Sequence, residues 1–424
     1  MNETVLVVDD EQRIRSSLRG ILNDEGFRVL DTGVAPEVMD LIGRESPNVV
    51  LLDVWMPEID GIELLRRIKS EHPNLPVIMI SGHANIQSAV AATRLGAADF
   101  IQKPFSVSGL LASIARVLDG GNAAGTSSIT DRADTNGGRA VAATAHGARH
   151  QRTIGRSIVF GGQGLHTGVR TGVMLLPAPA GFGIVFASLS DETRIPVQIE
   201  NVADTGYNTT LASGGRSVRT VEHLMSALHG FGITNLLIKT DDEIPALDGS
   251  AAEFCRLLAE AGVKDQDATV DPIRITAPIT IGVEGEGKEF MTIAPADRLV
   301  IDYTLDYPAP IGIQTVHFEF SSTDAYVKEV APARTFAFVE EFTKMTEMGL
   351  GSGGRLDNVI LVDDQKVVNT KLRFPEEFAR HKVLDLMGDL YLLGRPIEGH
   401  VRASKTGHSD NLAMVKAILA SLAN

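Results

Sequence analysis

Short apolar runs and amphipathic stretches alternate through the first 118 residues. Thr4-Val-Leu-Val-Val8 ends in Asp9-Asp10, Val49-Val-Leu-Leu52 in Asp53, and Val77-Ile-Met-Ile80 in Ser81, while Asp99-Phe-Ile101 runs on to Lys103-Pro104. Helical repeats such as Ile62 to Ile68 and Ile86 to Leu95 lie between these runs. Apolar strands separated by amphipathic helices predict an α/β doubly wound parallel sheet for residues 1–118, with its polar strand ends along one edge.

The pattern then changes twice. Residues 119–148 are rich in Gly, Ala, Ser, Thr and Asn and hold no aromatic residue, the composition of a flexible linker. From Gln151 onward strand patterns dominate, with three helices between them. One runs from Thr220 as N-cap to Leu228, with Gly230 just past its end, and a second from Ala251 to Ala261. The longest runs from Pro375 to Leu393, opened by proline and two glutamates and closed by Gly394. This order predicts two α+β subdomains, 149–270 and 271–424.

Composition narrows the class. A chain of 424 residues with 44% hydrophobic and 22% charged positions suits a multidomain globular protein. No apolar run approaches the ~20 residues of a membrane span, and no export signal opens the chain. The lone Cys255 excludes an internal disulfide and fits a cytoplasmic location; its apolar neighbours mark it as core. The net charge of −15 argues against a nucleic-acid partner.

Two groups of residues carry chemistry. Asp9, Asp10 and Asp53 would bring three carboxylates to one sheet edge, where they repel unless a divalent cation is present, and oxygen ligands favour Mg2+. One carboxylate could then attack a phosphoryl group, with Lys103 neutralising charge and Ser81 bonding the acyl phosphate. Taken singly, each aspartate could equally be a strand-end turn residue.

Nine of the eleven histidines follow residue 145. Taken alone, His72, His83, His146, His150, His229 and His317 read as ordinary core or surface residues. His381 and Asp385 are four apart on a helix and share a face. With His223 they make a catalytic zinc ligand set with an open position, although a solvated polar stripe continuing to Asp389 has the same spacing. Glu222, beside His223 at the positive end of its helix, is placed to accept a proton from a water that zinc acidifies to a pKa of ~7. His408, on the glycine turn Lys405-Thr-Gly407-His408, is a candidate proton donor that Asp389 could hold charged and oriented.

The strings VVDDE, LLDVWMPEIDG, MISGH and DFIQKPF resemble the receiver domain of two-component response regulators, a flavodoxin-like fold, over 1–118. The resemblance implies Asp53 as phosphoacceptor, Asp9, Asp10 and the Trp55 carbonyl as further magnesium ligands, and Ser81, Phe100 and Lys103 as switch residues. It also implies a sensor histidine kinase as phosphodonor and is compatible with receiver dimerisation.

The strings QRTIGRS, GLHTG, VADTGYNTTL, TVEHLMSALHGFGI, EIPALDGSAAEF, PARTFAF, GGRLDNVIL, RHKVLDLMGDLYLLG and KTGHSDN resemble, in order over about 151–421, UDP-3-O-acyl-N-acetylglucosamine deacetylase. That family's enzyme makes the committed step of lipid A synthesis. The resemblance implies two face-to-face α+β subdomains with Zn2+ and the UDP-linked acylated glucosamine at their junction, and is compatible with transient contact with the inner membrane surface. His223, His381 and Asp385 match its zinc ligands, Glu222 its base, His408 its cationic acid and Asp389 the carboxylate orienting that histidine. Thr335 matches its oxyanion donor, Phe336 and Lys382 its substrate contacts, and His166 lies in the cleft motif or simply on a glycine turn. Asp248-Gly249-Ser250 reads as structural. The departures are Arg355, Thr406 and Asn208, and above all the receiver itself. Two other function classes stay open on sequence: a signalling protein whose deacetylase-like part binds the lipid precursor without turnover, and a transcription factor, for which no DNA-binding pattern is present.

Overall fold

The structure, a computed structural model, describes residues 3–422 except 11, 55, 57–59, 82–90, 103–106, 119–147, 190 and 286. Trp55, Lys103, His83, His146, nearly all of the expected linker and the start of the expected Ile86 helix lie outside the described residues. The chain divides into two units, one of Met1–Gly137, Val339–Thr343 and Val367–Thr370 and the other of Gly138–Phe338, Lys344–Lys366 and Lys371–Asn424.

In the N-terminal unit the β-branched runs form β1 (Thr4–Val8), β2 (Arg28–Thr32), β3 (Val49–Asp53), β4 (Val77–Ser81) and β5 (Asp99–Gln102). They pair in parallel in the order β2-β1-β3-β4-β5, the flavodoxin-like doubly wound arrangement expected from sequence. The helices with both ends described here are α1 (Gln12–Asp24), α2 (Glu37–Glu45), α3 (Gly61–Glu71) and α4 (Val107–Leu118), and residues 91–94 are also helical. Val5, Val7, Val49, Leu51, Ile78 and Ile80 pack with Leu18 and Leu22 of α1 and Leu110 and Ile114 of α4. The alternate positions Leu6, Val50, Leu52 and Met79 are equally buried. Because successive strand side chains point to opposite faces, both faces of the sheet are covered, and this burial is why the runs are continuously apolar.

The C-terminal unit is built on antiparallel and mixed sheets. One has five strands, in the order Arg194–Pro196, Ile184–Ala187, Leu236–Thr240, Arg170–Pro177 and Ile158–Gln163. Another centres on Ile397–Ser404, paired with Phe290–Ala294, Leu299–Asp306 and Ile273–Arg274. Its helices are α5 (Glu222–Phe231), α6 (Ala252–Ala261), α7 (Thr323–Glu329), α9 (Glu377–Leu390) and α10 (His408–Leu422), while α8 (Val339–Glu347) is divided between the two units. Among the described residues no helix is long and apolar enough to cross a membrane.

Four sequence expectations are corrected. Thr220 does not cap α5: it has φ +57, its hydroxyl donates to Glu243 Oε1 at 2.8 Å, and the helix begins at Glu222. Gly230 lies inside α5, whose stop is Gly232 at φ +65. A Cβ on Gly230 would come within 2.2 Å of the Tyr326 ring, so this glycine serves a close approach and not a cap. The longest helix is α10, by one residue over α9, because a 3-10 turn at Tyr391–Leu393 takes the end of the expected span. His408 therefore opens a helix, where a turn was expected.

Helices α5 and α9 meet closely enough that chemistry on one reaches the other. Gly388 of α9 sits on the Glu222 carbonyl, where a Cβ would approach to 2.1 Å. His229 of α5 bonds the Met387 carbonyl through Nδ1 at 2.9 Å and stacks on Tyr391 at 4.5 Å. The Tyr391 hydroxyl donates to the Ile233 carbonyl at 2.9 Å. His229 is thus a buried neutral link, its pKa pushed down to about 4 by burial.

Candidate active site

His223 enters from the first turn of α5, His381 and Asp385 from consecutive turns of α9. One ligand atom of each lies within 4.8 Å of the others, and all three residues are buried. Asp385 Oδ1 stands 3.6 Å from His223 Nε2 and 3.4 Å from His381 Nε2. The imidazole rings are nearly perpendicular, with centroids 5.0 Å apart. His381 Nδ1 is taken by the Ala333 carbonyl at 3.0 Å, which fixes the proton there and leaves Nε2 as a lone pair facing inward.

Electrostatics favour the ligand forms. Burial pushes His223 down to about 3 and holds His381 below its ordinary value, so both imidazoles are neutral. Burial works against the Asp385 carboxylate, yet the cations facing it, Lys382 and His408, hold its pKa well below the usual range. Asp385 Oδ1 has no hydrogen-bond partner among the described residues despite its burial. An orphaned carboxylate oxygen between two neutral imidazole nitrogens is a site for a cation. An N2O set with an open side fits zinc.

Around this triad a second layer forms. The Glu222 carboxylate accepts the Thr209 backbone N–H at 3.0 Å through Oε2. Burial raises Glu222 to about 8, with His408 opposing and Asp389 and Asp385 adding to the rise. The positive helix end expected to keep it ionised does not outweigh desolvation. His408 is the opposite case. Burial disfavours its charge, but Asp389, bonded to Nδ1 at 2.7 Å through Oδ2, raises it to about 9. Asp389 also accepts Asn411 Nδ2 at 2.8 Å and the Thr209 hydroxyl at 2.6 Å. Thr209 thus bonds both the Glu222 and the Asp389 carboxylates, and sequence reasoning did not single it out. It lies inside the quoted string VADTGYNTTL, but nothing in its spacing marks it.

The remaining candidate residues come from three strings. Phe336 lies over the site, its ring 6.4 Å from that of His381 and 5.7 Å from Lys382 Nζ. Lys382 Nζ itself bonds Asp385 Oδ2 at 3.2 Å. Thr335 is held through its backbone, donating to the Gly249 carbonyl and accepting from Ile360 N–H, each at 2.8 Å. His166 is buried, and neither ring nitrogen has a partner among the described residues. Burial lowers its pKa, and Glu243, Arg219 and His408 are its charged neighbours. Glu243 receives the N–H of His166 and of Thr167, each at 2.9 Å. Asp248 accepts Ser250 Oγ at 2.8 Å and Arg373 Nη1 at 2.9 Å, which are turn and packing contacts. Asn208 bonds the Thr210 hydroxyl through Oδ1 at 2.7 Å, and Thr406 is buried.

The N-terminal unit holds a separate acidic site. Carboxylate oxygens of Asp9, Asp10 and Asp53 lie within 4.8 Å of one another, Asp9 and Asp53 buried and Asp10 exposed. Oxygen donors alone suit a hard divalent cation. Asp53 ends β3, and Ser81, fully buried, ends β4 beside it. A Cβ on Gly61 would lie 2.1 Å from the Asp53 carbonyl, so α3 can start this close only with glycine there. Phe100 is buried in β5.

Comparison with known proteins agrees with this division. The family model of UDP-3-O-acyl N-acetylglycosamine deacetylase matches residues 151–420, and that of the response regulator receiver domain matches residues 5–115. The UDP-3-O-acyl-N-acetylglucosamine deacetylase of Myxococcus xanthus is 42% identical over 275 residues, 64% of this chain and 86% of the relative. That of Helicobacter pylori strain J99 is 41% identical over 277 residues, 65% of this chain and 92% of the relative. Among solved structures, NtrX from Brucella abortus in complex with ADP is 45% identical with a TM-score of 0.27, covering 28% of this chain. The match spans only 27% of NtrX.

Proposed function

The chain belongs to the UDP-3-O-acyl N-acetylglycosamine deacetylase family, and from that premise we propose that it hydrolyses the acetamide of a UDP-linked 3-O-acyl-N-acetylglucosamine to acetate and the free amine, the committed step of lipid A synthesis. The observation that carries this reading is the convergence of His223, His381 and Asp385 around an orphaned Asp385 oxygen. A zinc ion held by these three would supply a Lewis acid for the acetamide carbonyl and acidify a water.

The chain's own groups divide the remaining work. Glu222 takes the proton that the attacking water loses, and a divalent cation nearby favours the ionised form it needs. The Thr335 hydroxyl donates to the oxygen that gains charge as the carbonyl carbon becomes tetrahedral. His408, kept protonated by Asp389, gives a proton to the nitrogen as the carbon–nitrogen bond breaks, so an amine leaves. Phe336, Lys382 and His166 orient the sugar and its nucleotide. We divide this part into subdomains 149–270 and 271–424, joined to the receiver by the linker 119–148, and place the reaction in the cytoplasm, where nucleotide sugars are made.

For the N-terminal unit we infer a phosphorylatable receiver. Asp9, Asp10 and Asp53 would hold Mg2+, and Asp53 would take a phosphoryl group from a sensor histidine kinase, tuning the deacetylase. Acetate release by the purified, zinc-loaded chain from the UDP-linked substrate tests the enzymatic reading. A folded, metal-loaded sample that binds this substrate and releases no acetate sinks it, leaving the binding-only alternative.

A further inference from the structure

Of Ala333, Arg334, Thr335 and Phe336, three touch α9. The Ala333 carbonyl accepts from His381 Nδ1 at 3.0 Å, and the Phe336 ring meets Phe378 at 4.9 Å. Between these, Arg334 forms a bidentate pair with Glu377, Nε to Oε1 at 2.8 Å and Nη2 to Oε2 at 3.2 Å. The Arg334 backbone N–H also donates to Glu377 Oε1 at 3.2 Å, Arg334 Nη2 donates to the Lys371 carbonyl at 2.7 Å, and the Arg373 N–H donates to Glu377 Oε2. Glu377 has no exposed surface and Arg334 is 8% exposed. It is the residue one helical turn before the ligand His381.

A buried ion pair is a poor way to add stability, because well-packed apolar side chains often do as well or better. What a fork-to-carboxylate pair adds is fixed geometry. Here that geometry ties the peptide bearing Thr335 to the helix bearing His381. Gly249 completes the clamp from the other side: it accepts the Thr335 N–H, and a Cβ there would collide with the Asn358 carbonyl at 1.9 Å.

We propose that Arg334 and Glu377 are positioning residues that set the Thr335 hydroxyl over the metal-ligand triad. This rests on the reading of Thr335 as the oxyanion donor. Neither residue reaches the reacting atoms; both act through the Thr335 backbone. Misplacement by ~1 Å is enough to lose on the order of 10²-fold in rate.

The test compares Arg334→Lys, Thr335→Ala and the double variant in the full, zinc-loaded chain, reading kcat, KM, bound metal per chain and Tm. Arg334→Lys keeps the charge and loses the fork; it should lower kcat roughly 10- to 100-fold with KM and metal content unchanged. Thr335→Ala should lose on the order of 10²-fold. The double variant should be no worse than Thr335→Ala, because nothing remains to be positioned. Equal losses from Arg334→Lys in both backgrounds overturn the proposal, as does an unchanged kcat with a lowered Tm. Full activity in Thr335→Ala is a different failure, which removes the oxyanion assignment and this proposal with it. Should Arg334→Lys not fold, Glu377→Gln takes its place with the same expectations, since it removes the charge and the fork-to-carboxylate pair while keeping the side chain's size and an acceptor for one of the two backbone N–H groups.

Discussion

Gly388 and the carbonyl of Glu222 are in direct contact, so the two helices that carry His223, His381 and Asp385 meet there with no side chain between them. A Cβ at position 388 would stand 2.1 Å from that oxygen and 3.1 Å from Ser226 N. Gly388→Ala must therefore push α5 and α9 apart. We expect a stability loss of about 1–3 kcal/mol, the usual cost of overpacking, and weaker metal retention. Thermal unfolding together with metal analysis after dialysis checks it; an unchanged Tm with full metal content would show that the helices have slack.

Removal of a ligand should be worse than disturbing its support. Perturbing groups behind the ligands commonly costs 10- to 100-fold in metal affinity or activity, so His223→Ala and Asp385→Asn should each exceed that loss. Chelation should abolish acetate release from the parent chain, and zinc should restore it. Chelator-resistant turnover would contradict metal-dependent hydrolysis.

His408 gives the pH dependence a definite sign. Burial alone would lower its pKa, but Asp389 raises it to about 9. Activity that needs the imidazolium should fall as pH rises through about 9. The stability tied to this raised pKa is fully present below the ordinary histidine value of ~6.5 and is lost as pH rises through about 9. In Asp389→Asn the alkaline limb should move to lower pH. A limb that stays in place would mean that another group sets it.

Thr209 offers a finer probe. Its hydroxyl bonds Asp389 and its N–H bonds Glu222. Thr209→Ala removes only the first link, so kcat should fall about tenfold or more, within the range for groups that support a site from behind. Thr209→Ser should recover most of it. Equal defects in both variants would point to lost packing of the methyl group.

At the acidic site, Asp53→Ala should abolish covalent phosphorylation by a small phosphodonor with magnesium, read as the mass of one phosphoryl group. Deacetylase turnover measured with and without donor, and in Asp53→Ala, tests the coupling of the two functions. Identical rates in all three samples would separate them.

The chain shows on its face what repeats locally. Apolar runs ending in Asp9, Asp53 and Ser81 announced the parallel sheet and its acidic edge, because strand burial and strand-end chemistry are both set within a few residues. His381 and Asp385 were legible for the same reason, four residues being one helical turn. Gly230 was misread because a glycine that ends a helix and one that admits a neighbouring ring look alike in sequence; only Tyr326 distinguishes them. Thr209, and the pairing of Arg334 with Glu377, were hidden because their roles rest on contacts across 180 and 43 positions. Glu222 shows a subtler limit. Its place at a helix start was readable, but the depth of its burial, which dominates its charge, was not.

His223 and His381 are 158 positions apart in the chain. At the ~5–20 residues per second of synthesis, roughly 8 to 30 seconds pass between the appearance of the first ligand and the second. Throughout that interval α5 lacks α9, and its imidazole and glutamate are an incomplete ligand set. Capture of a metal by this triad would thus be deferred until α9 has been made, so the supply of the ion, and not the making of α5, could decide when the site is complete.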